Sequence, residues 1–178
     1  PDIVTSLTPA GGSKVLVTRY DNHVLLWDAE SRSPVKEGGL TFWPRASHVS
    51  ADGSQALLLH RGAALIGLPD IALQAESHGS FDGGGSKCAA FAPEGKSQII
   101  SNYNGEVFVV AQSGKRLTAN KRRLAKAAGE PQGIEVLKDS RIVLVAGSSG
   151  QVDFFSWDNQ TLIGSVNTSG RRLTSVHI

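Results

Sequence analysis

Methionine is missing from all 178 residues, and the chain opens on Pro1. A whole translation product starts with Met, so the expectation is a processed chain or an internal piece of a longer one. Cysteine occurs once, as Cys88. That excludes an internal disulfide and fits a reducing compartment. No apolar run approaches the roughly 20 residues that cross a bilayer as a helix, and no signal peptide is legible. A surplus of one charge is lacking too: 18 Lys and Arg stand against 16 Asp and Glu, a net charge of +2. Bulk charge therefore announces neither a nucleic-acid nor a membrane protein. The expected location is intracellular, cytoplasmic or nuclear, with no membrane partner.

What the chain does contain is a repeat, and internal periodicity is tested before local structure. Short segments end in an apolar residue just before a polar turn: VTSL, ASHV, CAAF, GIEV and SVHI. Their last residues are Leu7, Val49, Phe91, Val136 and Ile178, spaced 42, 42, 45 and 42 apart. Each anchor is followed by a turn and an apolar strand, as in TPAGGSKVLV and SADGSQALLL. A second tight turn comes next (YDNH, HRGA, NYNGE, GSSGQ), then a third apolar strand (VLLW, ALIG, VFVV, VDFF) and a weaker fourth. Gly, Asn, Asp and Ser punctuate these runs because they tolerate turn dihedrals. Four hairpin-linked strands make a small antiparallel sheet that is apolar on both faces and must stack on a neighbour of its own kind. No 3.6-residue periodicity runs through the apolar segments, so helical repeats are excluded.

The fold class expected is all-β. In its best unit, Asp21-Asn22-His23-Val24-Leu25-Leu26-Trp27-Asp28, the chain resembles WD40-repeat β-propellers with divergent repeats. The resemblance implies a partial propeller of about four four-stranded antiparallel blades, an arc of a larger seven- or eight-bladed ring. The units span about 3–45, 46–87, 88–131 and 132–173, and 174–178 is the first strand of a fifth. It also implies that Asp21, six positions before Trp27, accepts hydrogen bonds in a buried network with the indole. The other units depart from the pattern. They carry Gly67, Val110 and Phe155 at the Trp27 position and Arg61, Asn104 and Ser149 at that of Asp21. Trp157-Asp158 falls two positions late. An arc exposes two apolar faces, so the expected partners include the remaining blades, from the same chain or a second copy.

Candidate chemistry thins out on inspection. The Gly-rich stretch 79–87 lacks the Gly-Lys-Ser/Thr ending of a phosphate loop and reads as the connection between the second and third units. His23, His48, His60, His78 and His177 show no metal-ligand spacing. Gly147-Ser-Ser-Gly150 is not a nucleophile elbow. No catalytic residue, metal or cofactor is assigned, and the chain is expected not to be an enzyme.

One segment, KRLTANKRRLAK at 115–126, concentrates six cations (Lys115, Arg116, Lys121, Arg122, Arg123 and Lys126) with no carboxylate. It coincides with the 45-residue spacing. A short helix is expected there, capped by Asn120, running from Lys121 to Ala128 and ending at Gly129 before Pro131. Its first turn would carry cations at the wrong end of the dipole, at roughly 0.3–1 kcal/mol each. The segment reads either as a solvated loop or as an anion-docking patch. In the resembled family, the loop between units shares a face with the second-to-third strand turn. That face would also hold Phe42, Trp43, His60, Arg61, Tyr103, Arg171 and Arg172. Basic and aromatic side chains together suit protein hot spots and RNA. Two functions are carried forward. The first is a non-enzymatic scaffold presenting these residues to an acidic or phosphorylated protein within a larger complex. The second is an RNA-contacting subunit of a ribonucleoprotein.

Overall fold

A computed structural model describes residues 3–77, 79, 81 and 84–168. Among them are sixteen β-strands and no helix, so the chain is all-β. None of its described elements is a helix long and apolar enough to cross a membrane. The strands form four antiparallel meanders. The first comprises β1 (Val4–Pro9), β2 (Lys14–Arg19), β3 (His23–Asp28) and β4 (Ser33–Gly39). The second is β5 (Ala46–Val49), β6 (Gln55–Leu59), β7 (Ala63–Gly67) and β8 (Ala72–Glu76). The third is β9 (Ser86–Phe91), β10 (Ser97–Asn102), β11 (Glu106–Ser113) and β12 (Arg116–Lys126). The fourth is β13 (Pro131–Leu137), β14 (Ile142–Gly147), β15 (Gln151–Ser156) and β16 (Thr161–Asn167).

These meanders make three sheets, not the four separate ones the repeat suggests. The second and third join into eight strands through their outer members. The junction is one parallel pairing, Arg116 with Glu76, where the Glu76 N–H donates to the Lys115 carbonyl at 3.1 Å. β9 opens two residues before 88 and β13 one before 132. The expected fifth-unit strand at 174–178 lies outside the described residues.

Three of the four described anchors sit on one rung. Val49, Phe91 and Val136 pair with Ala56, Gln98 and Val143 of the next strand. In the first meander the rung is held by Pro9, opposite Val15, two residues after Leu7. Alternation of side chains along each strand then sends neighbours to opposite faces. Leu16, Val24 and Leu26 meet Ala56, Leu58 and Ile66 between the first and second meanders. Leu57, Leu59 and Leu65 turn the other way, onto Ala89, Ile100, Phe108 and Val110 of the third. Ile99, Val107 and Val109 meet Ile134, Val143, Val145 and Phe155 of the fourth. Three apolar layers thus bind the four meanders in chain order. Leu57, Leu58 and Leu59 are fully buried, each contributing about 1.5–3 kcal/mol by its burial. The first strands β1, β5, β9 and β13 line a shared trough of about 790 Å³.

The helix expected at 121–128 is not formed. That stretch belongs to β12, which pairs with β11 from Ser113↔Arg116 to Glu106↔Lys126. Tertiary pairing overrides a weak local preference, and Leu117 and Leu124 are buried against the second and fourth meanders respectively. The strand also avoids cations at a helix N-terminus. Each other fourth strand carries one extra residue as a bulge against its third strand. β12 carries three: one between Ala125 and Arg123, two between Arg123 and Ala119. The longer spacing is therefore largely absorbed by bulging within a strand and not by a loop.

Candidate aromatic and basic interaction face

The turns between second and third strands lie beside the connections between meanders. Leu40 N–H donates to Asn22 O (2.7 Å), Tyr103 N–H to Gly85 O (3.0 Å), Ala127 N–H to Gly105 O (2.7 Å) and Ser149 N–H to Ala128 O (3.3 Å). These bonds gather turn residues and connection residues at one end of the stack. Gly105 makes this approach with φ +88°, and a Cβ there would come within 3.0 Å of Gly129 O. An L side chain is disfavoured on both counts.

Along this end runs a row of rings and cations. Trp43, in the first connection, stacks on Tyr20 of the first turn with centroids 5.1 Å apart and planes at 24°. Trp43 is 56 % exposed and Tyr20 52 %. Next to them Phe42 stacks on His60 at 4.2 Å. Arg45, anchored by its N–H to Leu59 O, points a guanidinium N–H at the Tyr103 hydroxyl (3.5 Å). Lys87 lies over the Tyr103 ring at 5.1 Å and pairs with Glu130 at 3.1 Å. The row therefore offers exposed aromatic surface beside Arg45 and Arg61, both exposed and without an ion pair among the described residues.

His60 supports the row from beneath. Its Nδ1 accepts from Gly62 N–H at 3.3 Å, which leaves the remaining proton on Nε2. That nitrogen is buried, without a hydrogen-bond partner, and 3.8 Å from the Glu76 carboxylate. Burial lowers the His60 pKa from its ordinary value; Glu76 opposes the shift and the nearby Arg45 charge adds to it. His60 is thus held neutral, as a packed ring with a fixed turn above it.

The expected site residues divide. Trp43, Arg61 and Tyr103 belong to the row. Lys126 stands at the same end, opposite Glu106. Lys115 and Arg116 lie at the β11–β12 hairpin, at the far end of β12, roughly 23 Å away by the seven steps from Glu106 to Ser113 of the partner strand at about 3.3 Å per residue. Arg123 is committed to an ion pair with Glu106. The backbones of Lys121 and Arg122 lie in β12, but their side chains are outside the described residues, as are Arg171, Arg172, His78 and His177 entirely. The basic segment is not one patch. Tyr20, Arg45 and Lys87 complete the row, and sequence reasoning missed them; nearness to Trp43 was the signal available for Arg45.

Asp21 also departs from expectation. It is exposed and pairs with Arg19, which also reaches Glu37 at 3.3 Å. Desolvation draws its pKa upward, but the Arg19 hydrogen bond and the charges of Arg19 and His23 outweigh it, so the net shift is downward. Trp27 makes no hydrogen bond with it. It packs on the strand rung opposite Val15 and Pro34. By pairing and bulge position the equivalents of Trp27 are Ile66, Val110 and Phe155. Ile66 replaces the Gly67 inferred from spacing. The role Asp21 was expected to play is filled in the third meander by Asn102. Its Oδ1 accepts from Asn104 and Glu106 N–H, both 3.0 Å, and its Nδ2 donates to Phe81 O at 3.1 Å.

No family model matches the chain, and no curated protein matches it.

Proposed function

We propose that the four meanders are blades of a WD40-like β-propeller arc and that the chain is a non-enzymatic interaction scaffold. Rigid stacking fixes the spacing of the row at one end, which lowers the ordering cost when a partner binds. The observation that carries the reading is the exposed Trp43–Tyr20 stack beside Arg45 and Arg61. Aromatic and arginine side chains dominate binding energy at protein interfaces. Guanidinium groups bind carboxylate or phosphate through charge-assisted hydrogen bonds. The partner class is an acidic or phosphorylated protein segment.

The arc reading is supported by where large apolar side chains remain in water. Ile3, Val4, Leu7 and Val35 are exposed in or beside the first meander, and Leu162, Ile163 and Val166 in the last. Further blades, from the same chain or a second copy, would cover these faces as the inner layers are covered. The fold alone does not select the function.

The test is a peptide array of matched acidic, phosphorylated, neutral and basic segments, probed with the native chain and with Arg45→Glu/Arg61→Glu. Selective retention of acidic and phosphorylated segments, lost in the double variant, is expected. Equal binding across the array overturns the proposal. RNA contact is the alternative: it requires retention of poly(U) with a steep salt dependence that the double variant reduces.

A further inference from the structure

Four equivalent rungs differ in one residue. The second-strand residues opposite Trp27, Ile66, Val110 and Phe155 are Val15, Ala56, Gln98 and Val143. Three are apolar and one is an amide. Gln98 is 1 % exposed, and its Oε1 is buried with no hydrogen-bond partner. It sits on the face of β10 that carries Ile100 toward the second meander. There it borders a cleft of about 440 Å³, with Gln55, Leu65, Lys96 and Gln112 around it. The neighbouring amide donors are engaged elsewhere: Gln55 Nε2 with Gln74 Oε1 at 2.7 Å, Gln112 Nε2 with Gly114 O at 3.0 Å. A buried amide without a partner destabilises the fold, and the sister positions show that the rung accepts an aliphatic side chain. The break in the repeat therefore points to a partner that binds there.

We propose that the Gln98 cleft is a binding site for a main-chain peptide group of an extended segment. The unpartnered atom is an acceptor, so the ligand must donate to it, which excludes a carboxylate or phosphate at that point. Lys96 at the cleft opposes a cation. A peptide group supplies the neutral N–H that Gln98 Oε1 lacks, with a carbonyl on the same unit for the Gln98 Nε2 or for Lys96. The cleft lies at the end of β10 away from Asn102 and Tyr103, so this site is independent of the aromatic row.

The probe is N-acetyl-glycyl-glycine N-methylamide, titrated into the isotope-labelled chain while the side-chain amides of Gln98 and Gln112 are followed by NMR. Saturable shifts of both are expected. Gln98→Met is expected to melt about 2–4 °C higher, because it removes the unpaired amide, and to abolish the Gln112 shift. Lys96→Ala, at an exposed position, is expected to keep the melting temperature and weaken the probe at least threefold. The proposal is overturned if the Gln98 amide does not respond, if Gln98→Met melts lower, or if an ordered water keeps Oε1 at saturating probe.

Discussion

Trp43 lies against Tyr20, ring centroids 5.1 Å apart, and each ring keeps about half of its surface in water. The contact ties the first connection to the first turn without burying either ring. Replacing Trp43 by Ala should therefore cost little stability, about 0.5–1.5 kcal/mol, the worth of an aromatic pair. It should nevertheless weaken an acidic peptide at least tenfold if the stack is an anchor. Urea unfolding and peptide titration by anisotropy separate the two effects.

Asn102 holds three backbone groups with one buried side chain. Asn102→Ala leaves the N–H groups of Asn104 and Glu106 and the carbonyl of Phe81 unmatched. Loss of about 2–4 kcal/mol in urea unfolding is expected. Asp21→Ala, which removes only a solvent-screened pair with Arg19, should leave the urea midpoint nearly unchanged. The resemblance alone would have ordered these two variants the other way.

Gly53 reaches φ +70° in the turn after β5, and a Cβ there would approach Ala10 O at 2.9 Å. Gly53→Ala is strained twice, by backbone and by the neighbouring turn. About 1–3 kcal/mol of destabilisation is expected. Gly12→Ala, at φ +56° but with open space around it, should lose less.

His48 lines the trough, and burial pushes its pKa down from 6.5 to about 4. Well above pH 6.5 the ring is neutral whether the chain is folded or not, and it leaves stability unchanged. As pH falls from 6.5 to about 4 the unfolded chain takes up a proton that the folded chain refuses, so stability declines; below about 4 this decline stops. His48→Leu should flatten the stability–pH curve within that window, by roughly 1–3 kcal/mol across it. Thermal melts between pH 7 and pH 4 measure it.

Much of the fold was legible because a repeat reports itself several times. Val49, Phe91 and Val136 stood out by spacing, and the same residues share a rung. The basic segment misled because Lys, Arg, Leu and Ala suit a helix, whereas the pull of β11 along the whole of β12 is tertiary and absent from any short window. Bulges hid for the same reason: an extra residue at 119–125 looks like a loop until its partner strand is known. On the candidate face, Trp43 and Tyr103 were visible as aromatics in polar connections. Arg45 and Lys87 were not, since Tyr103 reaches Arg45 from another meander and meets Lys87 only once β9 lies beside β10. Asp21 matched a spacing but lies beside Arg19, which takes its carboxylate.

The most direct test of the scaffold account is a titration of the chain with one phosphorylated acidic peptide retained from the array, followed by fluorescence at low and moderate salt. The account predicts saturable binding, at least tenfold weaker in Arg45→Glu/Arg61→Glu and only slightly altered in Lys115→Glu/Arg116→Glu at the far end of β12. Equal affinity in the native chain and the Arg45/Arg61 variant, or loss confined to the Lys115/Arg116 variant, contradicts it.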